Sequence, residues 1–347
     1  MKNKIDYIFL RACRGEAVPY TPIWLMRQAG RYMSQYQQIR EKMDFLTLCK
    51  TPEMAAKVTL QPVDVLGVDA AILFSDILTL VEAMGLELTF AQNEGPIIGN
   101  PVRSYESFHA LTIPDPEESL GYVMETIRLS RPQLEGRVPL IGFSGAPFTL
   151  ATYIIEGGSS KQFIETKTMM YQNPELFKAL MNKIAHSVTL YLDAQIRAGA
   201  QAVQLFDTWA GVLSPADYVM FVLPQVKSII SELKKLDVPV IYFVNNCSGL
   251  LEHVKTCGAD VLSFDWRIGL ADAINRVGKS FVVQGNLDPC ILFGPVSLME
   301  SYVRQILDDG TQAKRHIFNL GHGILPQTPV DHVKVLVDMV HRISERL

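Results

Sequence analysis

Three arginines, Arg27, Arg31 and Arg40, crowd one short stretch of a chain whose net charge is −4. A guanidinium is a planar, permanently charged fork that matches a carboxylate with two parallel hydrogen bonds. The stretch therefore suits an anion bearing several carboxylates; the other reading is of surface cations in weak ion pairs. Asp76 stands in Leu73-Phe74-Ser75-Asp76-Ile77-Leu78. A carboxylate among apolar neighbours is costly without donors, so Asp76 either caps a following helix or waits for N–H groups of a ligand. His322 sits between Gly321 and Gly323, and Tyr153 lies in an apolar stretch of helical period. Its default role is core packing with its hydroxyl bonded. Thr208 offers a hydroxyl, and Asp207, Asp265 and Asn286 are supporting polar groups at comparable positions.

What these residues share is their place. Each of eight short apolar runs, at 22–26, 70–74, 140–143, 202–206, 240–244, 261–264, 281–283 and 316–320, reads as a buried parallel strand. Arg27, Gln28, Ala29, Gly30 and Arg31 follow the first run, Asp76 the second, Thr208 the fourth and His322 the eighth. Amphipathic stretches separate most runs. Thr51-Pro52, Ser214-Pro215 and Thr328-Pro329 each read as an N-cap followed by a first-turn proline, and Gly199 and Gly258 as helix stops. Eightfold strand–helix alternation predicts a single (β/α)8 barrel over 1–347, whose chemistry lies at the C-terminal strand ends. An open doubly wound sheet is the other arrangement this alternation allows. The connection 85–103, with Asn93-Glu94-Gly95-Pro96 at its centre, predicts a hairpin inserted after the second barrel unit. A second long connection, 156–161, reads as a mobile loop.

The remaining features bound the function. With 48% hydrophobic and 20% charged residues the chain has ample material for one core. The acidic balance argues against nucleic-acid binding through a general positive field. Five cysteines without a Cys-x-x-Cys fit reduced thiols and a cytoplasmic setting. The apolar character of residues 1–11 is too short and interrupted for a secretory signal, and no run is long enough to span a membrane. There is no phosphate-binding Gly-x-x-x-x-Gly-Lys-[Ser/Thr], no Gly-x-Gly-x-x-Gly, no His-Glu-x-x-His and no compact metal-ligand spacing. Neither a metal nor an organic cofactor is expected.

The stretches Pro22-Ile23-Trp24-Leu25-Met26-Arg27-Gln28-Ala29-Gly30-Arg31-Tyr32 and Ile141-Gly142-Phe143-Ser144-Gly145-Ala146-Pro147-Phe148-Thr149-Leu150 resemble two signatures of the uroporphyrinogen decarboxylase family. Phe74-Ser75-Asp76-Ile77-Leu78, Gln284-Gly285-Asn286-Leu287-Asp288-Pro289 and Asn319-Leu320-Gly321-His322-Gly323 are similar too, in the family's order. The resemblance implies a (β/α)8 barrel, a homodimer with facing clefts, and a cofactor-independent carboxy-lyase of porphyrin and heme biosynthesis. That reaction converts the four acetate side chains of uroporphyrinogen III to methyl groups, giving coproporphyrinogen III and CO2. It also implies site roles for Arg27, Arg31, Asp76, Tyr153, Thr208 and His322, with Gln28, Ala29 and Gly30 in the same binding stretch. Asp76 and Arg27 would be catalytic, with Tyr153 holding Asp76 in place. Many relatives carry Ser at the Thr208 position, and some carry His where this chain has Trp209. Two rivals are a zinc-dependent corrinoid:thiol methyltransferase of the same superfamily, for which a lone Cys247 is poor support, and a non-catalytic tetrapyrrole-binding paralogue.

Overall fold

The computed structural model describes residues 6–91 and 95–345. Its strands are β1 (Ala71–Ile72), β2 (Leu88–Ala91), β3 (Gly95–Ile98), β4 (Leu140–Gly145), β5 (Ala202–Asp207), β6 (Val240–Val244), β7 (Val261–Phe264), β8 (Val282–Leu287) and β9 (Arg315–Leu320). Seven form one parallel sheet in the order β1-β4-β5-β6-β7-β8-β9, with helices in the connections. The sheet curls into the expected barrel, and its closing element is the segment 22–26. On one side Phe318 N donates to Pro22 O (2.8 Å) and Trp24 N to Phe318 O (3.4 Å); on the other Asp69 N donates to Ile23 O (2.8 Å).

The first apolar run is thus in place but makes only an isolated bridge, Ile23 to Phe318. The reason is local. Apart from Trp24 N, its N–H groups bond side chains rather than a neighbouring backbone: Ile23 N to Asp69 Oδ2 (2.8 Å), Leu25 N to Gln28 Oε1 (3.1 Å) and Met26 N to Asn319 Oδ1 (3.0 Å). Every buried donor is satisfied, and the segment is stapled to both neighbours without a regular ladder.

Along the strands, apolar residues alternate between two cores. Ile23, Leu25, Val203, Leu205, Tyr242, Leu262, Phe264 and Phe318 pack under the surrounding helices. Trp24, Ile141, Ala202, Ile241, Val261, Val282 and Ile317 point inward and are covered by Phe9, Leu10, Ala12 and Cys13 around the short helix Ile8–Cys13. Above this apolar layer lies a polar one. Trp24 Nε1 donates to Gln284 Oε1 (2.9 Å), and Gln284 Nε2 donates to Ser263 Oγ (2.9 Å) and Gln204 Oε1 (3.1 Å). The interior is filled by stacked side chains, as closed eight-stranded barrels require.

The hairpin β2–β3 is antiparallel, as its alternation predicts; Asn93 and Glu94 of its predicted tip lie outside the described residues. The loop after the helix Pro147–Glu156 docks on this hairpin, with Ile98 N donating to Gly157 O (2.9 Å). Two predicted caps differ in detail. Thr51 precedes the helix Pro52–Leu66, but its hydroxyl donates back to Thr47 O (2.7 Å) instead of capping. The last helix is Val330–Ser344, capped by Pro329, one residue later than expected, and the Thr328 hydroxyl is buried. Ser214 caps Pro215–Phe221 as expected, accepting from Asp217 N.

Candidate active site

At the C-terminal end of the barrel opens a cleft of about 1490 Å³. Its floor is aromatic. Phe143, Phe206 and Phe243, from three consecutive barrel strands, line it and pack edge to face, with centroids 5.7 and 6.0 Å apart. Edge-to-face pairs of this kind are stable apolar surfaces, so the floor excludes water beneath the polar groups of the rim.

Arg27, Gln28, Ala29, Gly30, Arg31 and Arg40 all line the cleft. Arg27 adopts a left-handed backbone (φ 60°), unusual for a non-glycine residue. Its stem lies against Gly323, where a Cβ would overlap Arg27 Cδ and Cγ. The glycine after His322 is therefore a space-maker for the arginine. Arg27 and Arg31 are exposed, and among the described residues neither guanidinium forms an ion pair. That removes the surface-salt-bridge reading. Arg40 is half-buried, bonded to the Met43 carbonyl and over the Phe45 ring at 5.7 Å. Gln28 differs from its neighbours: it is fully buried, its amide bonding Leu25 N and, through Nε2, Ala70 O (3.1 Å). It fastens the arginine stretch to β1, and its amide is committed to that frame.

Asp76 is half-buried on the cleft wall, one turn before the helix Thr79–Ala83. Oδ1 accepts from Leu78 N (2.8 Å), and that is the only hydrogen bond to the carboxylate among the described residues. Burial raises its pKa, opposed by the Leu78 N–H and by the charge of Arg27. Tyr153 lines the same cleft, but no hydrogen bond joins it to Asp76; the Leu78 amide, not Tyr153, holds the carboxylate. Burial also raises the Tyr153 pKa, and its polar neighbours Trp209 and Ser159 oppose the rise. Thr208 lines the cleft, its carbonyl accepting from Asn245 Nδ2 (3.2 Å).

His322 lies between Phe243 and Trp266, edge to face with both rings. Burial, reinforced by Arg27 and Arg267, depresses its pKa to about 4. It is neutral at physiological pH. Beneath the cleft, Asp207 accepts from Thr149 Oγ1 and Tyr242 Oη, both at 2.8 Å, and burial raises its pKa to about 6. Asp265 accepts from Cys247 N and Arg267 N, and Asn286 Nδ2 donates to the carbonyls of Asp265 and Ile268. These three support strand ends. Trp209, beside Tyr153, is the neighbour whose contact sequence reasoning missed; its place directly after Thr208 was the available signal. The Cys247 thiol is buried and its pKa pushed up to about 12, which disfavours a thiolate ligand. Among the described residues no group of three His, Cys, Asp or Glu side chains could hold a metal ion.

Residues 6–343 match the family model described as uroporphyrinogen decarboxylase (URO-D). Proteins named uroporphyrinogen decarboxylase from Desulfotalea psychrophila and Carboxydothermus hydrogenoformans are 56% and 54% identical. Each alignment covers 97% of this chain, and 98% and 96% of the respective relative. A solved methyltransferase from Methanosarcina mazei superimposes with a TM-score of 0.80 at 21% identity, over 97% of this chain and 99% of that one. A B12-independent methionine synthase from Shewanella follows at 0.56 and 11%, over 88% and 92%. At those identities the likeness to the two structures concerns the fold.

The depressed pKa of His322 has a direct readout. An unfolded histidine takes its proton near 6.5 and folded His322 near about 4, so lowering pH through that window destabilises the fold. Proton-detected titration of the histidine ring resonances should show one signal, absent from His322→Asn, that stays neutral from about pH 8 down to about pH 5. A midpoint above pH 6 for that signal would contradict the site electrostatics described above.

Proposed function

This chain belongs to the uroporphyrinogen decarboxylase family, and we propose that its cleft performs the family reaction with Asp76 at the centre and Arg27 and Arg31 at the rim. The chain is a carboxy-lyase that converts the acetate side chains of uroporphyrinogen III to methyl groups, giving coproporphyrinogen III. The observation that carries the site assignment is Asp76: a cleft carboxylate over an aromatic floor, with one protein donor and an arginine within electrostatic reach.

The chemistry sets what the site must do. Protonation of the pyrrole α carbon next to the one bearing the acetate turns the ring into a cation conjugated with the acetate-bearing carbon. The carbon–carboxylate bond then breaks, CO2 leaves, and the electron pair flows into that ring. A proton added to the resulting methylene gives the methyl group, and loss of the ring proton restores the pyrrole; the net consumption is one proton per CO2. The pyrrole is its own electron sink, so no cofactor is needed. Asp76 accepts hydrogen bonds from pyrrole N–H groups and stabilises the cation. Preorganised charge in a water-poor site is worth several kcal/mol. Arg27 and Arg31, with Arg40 beside them, bind carboxylates on the macrocycle edge and fix its orientation. Gln28, Ala29 and Gly30 shape that stretch, Tyr153 and Thr208 present hydroxyls, and neutral His322 positions the substrate. His322 holds no imidazolium proton at neutral pH, which argues against it as proton donor. Arginine is a poor acid with a pKa above about 12, so a donor role for Arg27 depends on the bound substrate.

The methyltransferase alternative is not favoured, given the buried Cys247 thiol. Anaerobic turnover of uroporphyrinogen III, with product carboxyl groups counted and a chelator present, tests the reaction, its cofactor independence and the non-catalytic alternative together. We further infer a cytoplasmic homodimer with facing clefts. Ile164, Tyr171 and Met220, exposed on helices near the cleft-side helix Pro147–Glu156, support such an interface, while no helix is long and apolar enough to cross a membrane among the described residues. Light scattering should give twice the chain mass of 38.8 kDa. Asp76→Asn should lower kcat by roughly 100-fold or more with the fold intact; rates near the parent would sink the charge-stabilising role. Arg27→Lys should raise KM by roughly tenfold, because a point charge replaces a fork. Unchanged KM and kcat would make Arg27 a bystander.

A further inference from the structure

Trp209 packs beside Tyr153 of the cleft lining, and neither the reaction nor the fold has so far given it a role. Its position is tightly determined. The Thr149 hydroxyl donates to Asp207 Oδ1 (2.8 Å), which leaves its oxygen lone pairs to accept from Trp209 N (3.2 Å). Asp207 is fully buried and also receives the Tyr242 hydroxyl (2.8 Å), which in turn meets Tyr218 Oη at 3.2 Å. The main chain of Trp209 is thus pinned to a buried network rather than to a free loop. Its indole is held on two sides: the Phe163 ring lies 5.3 Å away at 51°, and the Tyr153 ring 6.3 Å away at 59°.

Thr149 and Tyr153 are four residues apart on the helix Pro147–Glu156 and so share one of its faces. One element therefore fixes both ends of the contact: Thr149 sets the backbone of Trp209, and Tyr153 meets its indole. We propose that Trp209 is a positioning residue for the reaction, its indole N–H donating to the Tyr153 hydroxyl so that the phenolic proton points into the cleft. The inference rests on the reading that Tyr153 serves the reaction at Asp76. An indole N–H is a donor with no acceptor capacity. A hydroxyl that receives it must direct its own proton elsewhere, either to the neighbouring Ser159 or into the cleft that Tyr153 and Asp76 both line. The influence of Trp209 on the acidity of Tyr153 agrees with this geometry. Histidine at this position preserves a ring N–H, whereas phenylalanine preserves only the packing.

The test is a double-mutant cycle on the complete enzyme. Trp209→Phe should lower kcat about fivefold to tenfold with KM changed less than about twofold, the size of one oriented hydrogen bond. Trp209→His should recover most of that loss. In a Tyr153→Phe background the further change Trp209→Phe should have no additional effect on kcat, because the acceptor is gone. Should Trp209→Phe fail to fold, benzothienylalanine incorporated at position 209 alone gives the same comparison, since it keeps the indole shape and replaces N–H by sulfur. Equal losses from Trp209→Phe with and without the Tyr153 hydroxyl would reduce Trp209 to packing and overturn the proposal. So would a Trp209→His enzyme no better than the Phe variant. A Tyr153→Phe enzyme as fast as the parent would instead remove the role of Tyr153, and the cycle tells these results apart.

Discussion

The site depends on how the barrel closes. A regular eighth strand at 22–26 would offer its N–H groups to a neighbouring backbone. Here Asp69, Gln28 and Asn319 take those groups with side-chain oxygens. Gln28 does two things at once: it accepts from Leu25 N and donates to Ala70 O, so the chain must turn back on itself directly after Met26. That turn puts Arg27 in the left-handed region and lays its stem along Gly323. The closing hydrogen bonds and the placement of the first arginine are one structural event. Backbone strain of this kind typically costs about 1–3 kcal/mol and persists only where the surroundings over-determine it, and they do so here from both neighbouring barrel elements.

Around that turn, the residues divide by solvation. The floor is apolar, Asp76 stands on the wall, and the rim carries the cations together with Glu41 and Asp44. Asp76 remains useful because it is poorly satisfied by the protein: a single amide leaves acceptor capacity for a ligand. His322 shows the converse arrangement. Two arginines and burial keep it uncharged, so it adds hydrogen-bonding capacity without adding to the positive field. Asp207 and Asp265 are carboxylates of a third kind, fully buried and amply bonded, whose work is to fix strand ends.

The strand positions were largely legible because fully buried parallel strands are short, uninterrupted apolar runs; β6 and β7 begin and end where composition places them. The limits of β8 were not, since its later residues, Gln284 to Leu287, mix polar and apolar types while still pairing with β9. The first run did not form a ladder because its partners are largely side chains, two of them, Asp69 and Asn319, distant in sequence, and spacing carries no sign of such bonds. At the site, residue type and strand-end position located Arg27, Asp76 and His322 correctly in one cleft. They could not show that Gln28 bonds inward or that Tyr153 meets Trp209 rather than Asp76, because both facts depend on side-chain direction across the barrel.

The cations of the cleft wall, Arg27, Arg31, Arg40 and Lys42, all come from one continuous stretch of chain among the described residues. In the proposed reaction a macrocycle is therefore gripped along one edge, while Asp76, close after β1, is held in place by the Leu78 amide. Four acetates cannot all reach a stationary Asp76 from a single pose. In the proposed reaction, then, the ring changes pose between one loss of CO2 and the next, and another pyrrole comes to Asp76. The exposure of Arg27 and Arg31 favours this, since ion pairs in contact with water are weak. On the proposed reaction the exposed rim is thus a bearing as well as a binding surface, by which one centre serves a substrate with four chemically similar ends.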